Sequence, residues 1–103
     1  MINFAPCRKE LNDFPEAVRE DLADALAKLD AGVMLSMPVS RPMPSIGSRI
    51  HELRFRDRSG VYRVVYFLTL GGVIHLLCAF KKTTQKTDQK HLDLAKKRLR
   101  EVL

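Results

Sequence analysis

Residues 52–87, ELRFRDRSGVYRVVYFLTLGGVIHLLCAFKKTTQKT, decide the predicted fold of this chain. Strand-forming side chains fill the runs 49–56, 61–69 and 73–80, and the short segments between these runs contain glycine. Glycine and small polar residues at such positions favour tight hairpin turns. The pattern therefore predicts an antiparallel meander of three strands, with residues 2–5 as the candidate for a fourth.

Helical periodicity precedes the meander. Apolar residues recur at three- and four-residue steps across residues 14–30, after Asp13 and Pro15, and Gly32 is suited to end this helix. A shorter helical turn is expected at Arg8–Asn12. The predicted buried stripe consists of Phe14, Val18, Leu22, Ala25, Leu26, Leu29 and Val33.

A second helical pattern follows the meander and begins near Asp88. Either Thr87 or Asp88 is expected to supply the N-cap oxygen. Its predicted buried stripe consists of Leu92, Ala95, Leu99 and Val102. Helices before and after a meander predict an α+β fold class.

The segment 34–47 interrupts the regular elements. It contains Pro38, Pro42, Pro44 and Gly47, and proline removes a backbone donor that helices and central strands need. We expect a loop that runs over the surface. The segment is too short and too apolar to link two domains, so residues 1–103 are expected to form a single domain.

Composition excludes several classes of protein. The chain has 103 residues, of which 46% are apolar and 29% charged, as in ordinary soluble domains. No apolar run approaches the roughly 20 residues of a membrane span, and the N-terminus lacks a secretion signal. Cys7 and Cys78 form no CxxC motif. These features predict a cytoplasmic protein with reduced thiols.

The net charge of +6 is distributed unevenly. Residues 1–32 carry four basic and seven acidic side chains, a balance of −3. Residues 33–80 carry six and two, or +4, and residues 81–103 carry eight and three, or +5. A basic body with an acidic first helix indicates a polyanionic partner on one side and a different partner on the other. Charge alone leaves RNA, DNA and a membrane surface open.

Arg63 interrupts an otherwise apolar central strand. A guanidinium there needs an anionic partner or an open, wet face, because an unpaired buried charge is costly. One hypothesis places Arg63 on an open groove, where it binds a phosphate through two hydrogen bonds. The alternative is an internal salt bridge to Glu52 or Asp57. Burial of Arg63 beneath a helix, neutralised by an internal carboxylate, would end the case for RNA cleavage.

Further basic residues flank this strand. Arg54 and Arg56 are two residues apart and therefore project from the same side of the first meander strand. If the strand register puts them on the Arg63 side, three guanidinium groups form one patch; otherwise they form a solvated edge face. The segment 81–87 follows the last strand and offers Lys81, Lys82, Thr84 and Lys86 to phosphate oxygens, although a solvated loop has the same composition.

The histidines are not spaced as a metal site would require, and the tyrosines are expected in the core. His51 shares a face with core residues, His75 lies on an apolar strand as a core or pocket residue, and His91 is expected to be solvated. The histidine, cysteine and acidic spacings match no metal-binding pattern, so we predict neither a metal nor a cofactor. Tyr62 and Tyr66 are interpreted as core aromatics. Tyr66 matters for chemistry only if its hydroxyl reaches the Arg63 side.

Motifs across residues 12–103 resemble the phage-derived, HigB-like branch of the RelE/HigB toxin superfamily. Individually these motifs are short, but their order and spacing together are specific. They are E-L-R at 52–54, G-x-Y-R-x-x-Y at 60–66, L-L-x-A-F at 76–80, K-x-T-x-K-T at 82–87, and L-x-L-A-x-x-R-L at 92–99.

The resemblance implies a RelE-like fold with N-terminal helices packed on one face of an antiparallel sheet of three to four strands. It also implies a type II toxin that inhibits translation by cleaving messenger RNA, typically on the ribosome, without a metal. A cognate antitoxin, often a helix-turn-helix protein, would neutralise it. By position, Arg63 matches the family's central-strand arginine, Lys82 its loop lysine, and Arg54 the arginine of the first meander strand.

In the implied reaction the RNA 2′-hydroxyl attacks the adjacent phosphorus. Arg63 would stabilise the added charge, with Arg54 or Lys82 holding neighbouring oxygens. The general base is left open among His75, Tyr66 and a lysine of lowered pKa.

Three positions depart from the family pattern. Relatives commonly have histidine at Cys78 and lysine at Thr83, and if either takes part in proton transfer, catalysis here is weakened or reorganised. Relatives also commonly have an acidic residue at His91, so this chain lacks a capping carboxylate there. Two other classes of function remain open: a non-catalytic RNA- or DNA-binding module, and an interaction protein whose acidic first helix binds a basic partner.

Overall fold

Five strands form one mixed sheet in the order β1-β5-β4-β3-β2. The computed structural model describes residues 1–82 and 88–103. The strands are β1 (Ile2–Asn3), β2 (Ser40–Pro42), β3 (Ile50–Asp57), β4 (Gly60–Leu68) and β5 (Ile74–Lys82). The helices are α1 (Arg8–Asn12), α2 (Glu16–Asp30) and α3 (Gln89–Val102), and a 3-10 turn at Ala5–Cys7 leads into α1. The α+β fold class is confirmed.

The predicted meander is formed by β3, β4 and β5, which pair as antiparallel neighbours. Gly60 begins β4 with a φ of +147°, which glycine adopts readily after the turn. The candidate fourth strand is also present. However, β1 pairs with β5 in parallel, with Ile2 opposite Ile74, so the sheet is mixed and not purely antiparallel.

The prediction of a surface loop over residues 34–47 is wrong at Ser40–Pro42, whereas the exclusion of a central strand there is confirmed. Ser40–Pro42 forms β2, which pairs with β3 in an antiparallel register that puts Ser40 opposite Leu53. The prolines do not prevent this pairing because β2 lies at the edge of the sheet, where one side of the strand needs no ladder hydrogen bonds.

One face of the sheet packs against α1 and α2. We call this apolar cluster the first core, and Leu53, Val64 and Tyr66 contribute to it from the strands. The α2 stripe is confirmed, since Val18, Leu22, Ala25, Leu26 and Leu29 are all buried. Val33 is an exception at 49% exposure. The helix ends at Asp30, and Gly32 turns the chain with a φ of +88°.

The other face packs against α3 in what we call the second core. Of the predicted buried stripe, Ala95 is fully buried there, whereas Leu92, Leu99 and Val102 pack against the second core but are only partly buried. Asp88 occupies the N-cap position but makes no capping hydrogen bond with its side chain, and Thr87 lies outside the described residues. The N-terminal helices and α3 therefore cover opposite faces of the sheet.

Candidate functional site

Arg63 and Glu52 form a buried ion pair on the α3 face of the sheet. Arg63 Nη1 donates to Glu52 Oε1 at 2.6 Å, and the two side chains are 4% and 0% exposed. The expectation of an unpaired Arg63 on an open groove is therefore wrong, and the internal salt bridge to Glu52 is the alternative that the structure supports. The pairing satisfies the need of a buried guanidinium for an anion.

The register of β3 and β4 brings Arg54 to the same face. Arg54 lies directly opposite Arg63 in the ladder, and the half-buried Arg54 and exposed Arg56 project from the same side of β3. This places the three arginines on one face, as the sequence allowed. Like charges directly opposite each other destabilise a strand pair. Glu52, two residues earlier on the same face, offsets part of that repulsion.

Lys82 and Arg41 complete a group that we call the cationic cluster: Arg41, Arg54, Arg63 and Lys82 around Glu52. Lys82 is two residues beyond Phe80, the strand partner of Arg63, and Arg41 lies opposite Glu52. Four cations and one carboxylate leave a net charge of +3.

Electrostatic coupling supports this grouping. The pKa of Lys82 is lowered first by burial and then by the neighbouring charges of Arg63, Arg54 and Arg41, against the opposing effect of Glu52. Burial likewise lowers the pKa of Arg54, and Arg63 and Arg41 lower it further. The surrounding cations therefore disfavour the charged forms of Lys82 and Arg54, an arrangement that suits a site for an anion.

Arg41 was missed by the sequence prediction. It belongs to a strand of only three residues inside a proline-rich segment, and such a strand is too short to show alternation. The cluster thus draws one cation from each of four neighbouring strands, β2 to β5.

Lys81, in contrast, does not join the cluster. It lies opposite Tyr62, whose side chain belongs to the first core, so it projects from the α2 side of β5. A Cβ added at Gly60 would come within 2.8 Å of Lys81 Cε, which places this lysine beside the β3–β4 turn. The other two predicted phosphate contacts, Thr84 and Lys86, lie outside the described residues.

Both residues predicted for proton transfer lie away from the cluster. Tyr66 is 2% exposed in the first core, its hydroxyl is 2.8 Å from Ser40 Oγ, and burial raises its pKa. His75 accepts a hydrogen bond from Asn3 Nδ2 at 3.0 Å and stacks on Phe67. Phe67 is four residues from Arg63, about 13 Å along the strand.

His91 instead shares a neighbour with the cluster. Its ring stacks on Phe80 at a centroid distance of 3.9 Å, and Phe80 is the strand partner of Arg63. It is half-buried, so the expectation of a solvated side chain is wrong. Burial lowers its pKa, an effect opposed by Asp88, whose Oδ2 is 3.8 Å from His91 Nδ1. The sequence signal was the three-residue spacing of Asp88 and His91 at a helix start.

Other kinds of site find no support in the part of the chain that the structure describes. Within residues 1–82 and 88–103, no three histidine, cysteine or acidic side chains are grouped as a metal site would require. The helices in the same ranges include none that is long and apolar enough to span a membrane. Cys7 and Cys78 are both free and buried.

Comparison with known proteins identifies the family. No curated protein matches the sequence significantly. The family model described as "Phage derived protein Gp49-like" matches residues 9–100, which include strands β2 to β5, α2 and most of α3. Members of this family are type II toxins, a class that functions with an antitoxin. The chain therefore belongs to the Gp49-like family of phage-derived proteins, a family of type II toxins.

Proposed function

We propose that this chain, as one toxin domain over residues 1–103, cleaves messenger RNA in the cytoplasm and so inhibits translation. The substrate is messenger RNA on the ribosome, and the reaction uses no metal or cofactor, as the sequence resemblance to HigB-like toxins implies. The observation that carries the proposal is the cationic cluster, with its net charge of +3. Repulsion among the positive charges of this cluster lowers the stability of the fold, and binding of a negatively charged phosphodiester would offset that repulsion.

The buried ion pair assigns different tasks to the cations. Because Glu52 neutralises Arg63, that guanidinium is a positioning residue in this proposal. It holds the Glu52 carboxylate, which in turn interacts with Arg54 and Lys82. Arg54 and Lys82, both half-buried, then contact the scissile phosphate. Arg41 and Arg56, both exposed, bind neighbouring phosphates.

In the proposed reaction the 2′-hydroxyl oxygen attacks phosphorus and the bond from phosphorus to the 5′-oxygen breaks. The products are a 2′,3′-cyclic phosphate and a 5′-hydroxyl, and one proton leaves the 2′-oxygen while another reaches the 5′-oxygen. Arg54 and Lys82 stabilise the negative charge that accumulates on the phosphoryl oxygens in the transition state.

His91 is the proton acceptor in this proposal. Its lowered pKa keeps the imidazole neutral near pH 7, the form that can accept the 2′-hydroxyl proton. Cys78 does not replace the histidine that relatives carry there, because burial raises the pKa of its thiol to about 12. In this proposal the general base is therefore His91 of α3 and not the side chain at position 78 of β5.

The test compares Arg54→Ala with the control Arg58→Ala, which removes an exposed arginine from the nearby turn. Induction of the wild type without its antitoxin should arrest growth, with cleaved messages detected by primer extension. Arg54→Ala should lower the cleavage rate about 10²–10³-fold and relieve the arrest, because one phosphate contact is lost. Arg58→Ala should remain toxic. A toxic Arg54→Ala, or a soluble wild type with no effect on growth, would contradict the proposal.

The burial of Arg63 and its pairing with Glu52 remove the phosphate contact on which the sequence-based case for RNA cleavage rested. They favour a second candidate, a non-catalytic RNA- or DNA-binding module. This role includes an antitoxin-bound protein whose cleavage activity is weak. The same primer-extension experiment separates the two candidates, because a binding module leaves messages intact. In that case RNA affinity should fall steeply with salt, and Arg54→Ala should reduce the slope of log affinity against log salt by about 1.

A further inference from the structure

Exposed apolar side chains concentrate in residues 33–39, which we call the methionine segment. Of the seven large hydrophobic side chains exposed in the described residues, four belong to it: Val33 at 49%, Met34 at 70%, Met37 at 55% and Val39 at 39%. The others, Met1, Leu70 and Leu103, lie at the chain ends and a hairpin turn. Flexible, exposed methionines are typical of protein-binding surfaces.

A groove of about 360 Å³ lies beside this segment, between α2 and β3. Asp21 and Asp24 of α2 line it on one side, together with Lys28, while Arg54 and Arg56 of β3 line it on the other. Its apolar lining includes Ala25, Leu35, Val39 and Phe55. The groove thus combines an acidic wall, a basic wall and an apolar floor.

The basic wall joins the groove to the cationic cluster. Arg54 belongs to both, and its Nη1 lies 4.0 Å from Met37 Sδ of the methionine segment. A ligand in the groove would therefore cover Arg54 while contacting the exposed apolar side chains. Nucleic acid fits this surface poorly, because Asp21 and Asp24 repel phosphate.

We propose that the groove and the methionine segment bind a segment of the antitoxin. This inference rests on the proposed function, because it assumes that the chain is a toxin with such a partner. The antitoxin segment places apolar side chains on Met34 and Met37, a carboxylate against Arg54 and Arg56, and a basic side chain against Asp21 and Asp24. It neutralises the toxin by covering Arg54.

The test uses the purified chain and the protein encoded by the adjacent gene, with affinity measured by calorimetry. Asp21→Lys should weaken binding by at least about tenfold, because it presents a like charge to the partner's basic side chain. The matched control is Glu20→Lys, an equal charge change at the neighbouring exposed position of α2, outside the groove lining. This control should change the affinity less than about twofold.

Hydrogen exchange locates the contact independently. Binding should protect residues 33–39 and leave the α3 amides unchanged. Equal effects of the two α2 variants, protection confined to another surface, no binding by the adjacent protein, or a second copy of the chain occupying the groove would each overturn the proposal.

These readouts separate the two proposals. If groove variants weaken binding but the wild type neither arrests growth nor cleaves messages, the docking site stands and the nuclease proposal fails. If the wild type is toxic and Asp21→Lys is neutralised as well as wild type, the docking site fails alone.

Discussion

The two faces of β4 differ in what covers them. Tyr62, Val64 and Tyr66 point into the first core, where α1 and α2 cover the sheet. On the other face Val65 lies under α3, whereas Arg63 belongs to the cationic cluster beyond the second core. The two sides of the strand therefore differ in composition, since one is apolar and the other combines the apolar Val65 with the buried Arg63–Glu52 ion pair.

The energetics of the two faces differ accordingly. Full burial of an aliphatic or aromatic side chain contributes about 1.5–3 kcal/mol, so Val64 and Tyr66 stabilise the fold directly. The Arg63–Glu52 pair must first offset the cost of removing two charges from water, and its net contribution is small. Loss of one partner alone is costly, because the other charge is left buried.

The largest expected effect comes from Glu52→Ala. It leaves Arg63 buried without its carboxylate, next to Arg54 and Lys82. We expect the free energy of unfolding to fall by about 3–5 kcal/mol, measured by urea denaturation.

The matched variant replaces both partners, Glu52→Leu with Arg63→Met, and should restore most of the lost stability because no buried charge is left unpaired. Its cleavage activity should still be reduced, since the support for Arg54 is gone. Full activity of the folded double variant would show that the pair serves stability alone.

The next largest effect is expected at Lys81 and Lys82, two adjacent lysines that project from opposite faces of β5. Lys82 lies in the cationic cluster, whereas Lys81 projects from the α2 side. Lys82→Ala should reduce RNA cleavage about 10²–10³-fold, because it removes a cation that stabilises charge on the phosphate. Lys81→Ala should remain within about twofold of wild type. Equal losses in the two variants would mean that RNA contacts both sides of β5 and would remove the distinction between the faces.

Periodicity predicted both kinds of element. Apolar and polar side chains alternate at every second residue in β3, which indicated a strand, and apolar side chains recur at every third or fourth residue in α2, which indicated a helix. Periodicity could not predict register. Whether Arg54 meets Arg63 depends on the pairing of β3 with β4, and only the burial of both faces fixes that pairing. The ion pair between Arg63 and Glu52 follows from the same register. From the sequence, an internal salt bridge and an open phosphate-binding groove were both possible for Arg63.

A bulge in β5 is a second reason why the sequence could not predict which side chains share a face. Val65 pairs with Cys78 but Tyr66 pairs with Leu76, so one residue of β5 is passed over. Simple alternation puts His75 and Cys78 on opposite faces, whereas the bulge puts both opposite residues of the Arg63 face. The site residues of β5 could therefore not be assigned by counting.

His91 and His75 provide the smallest of the three tests. His91 stacks on Phe80 next to Arg63, whereas His75 lies at the opposite end of the sheet beside Asn3. His91→Gln should lower the cleavage rate about 10²-fold through loss of the base, and His75→Gln should leave it within about twofold.

The pH dependence gives His91 a signature that a structural role lacks. Burial stabilises the neutral ring and lowers its pKa below 6.5, so wild-type cleavage should be constant above pH 7 and fall as the ring becomes protonated at lower pH. His91→Gln should remove this acid limb along with most of the rate. A variant that is slower but keeps the limb would mean that His91 only packs α3 against Phe80, and the proton would then have to leave through a group outside that stack.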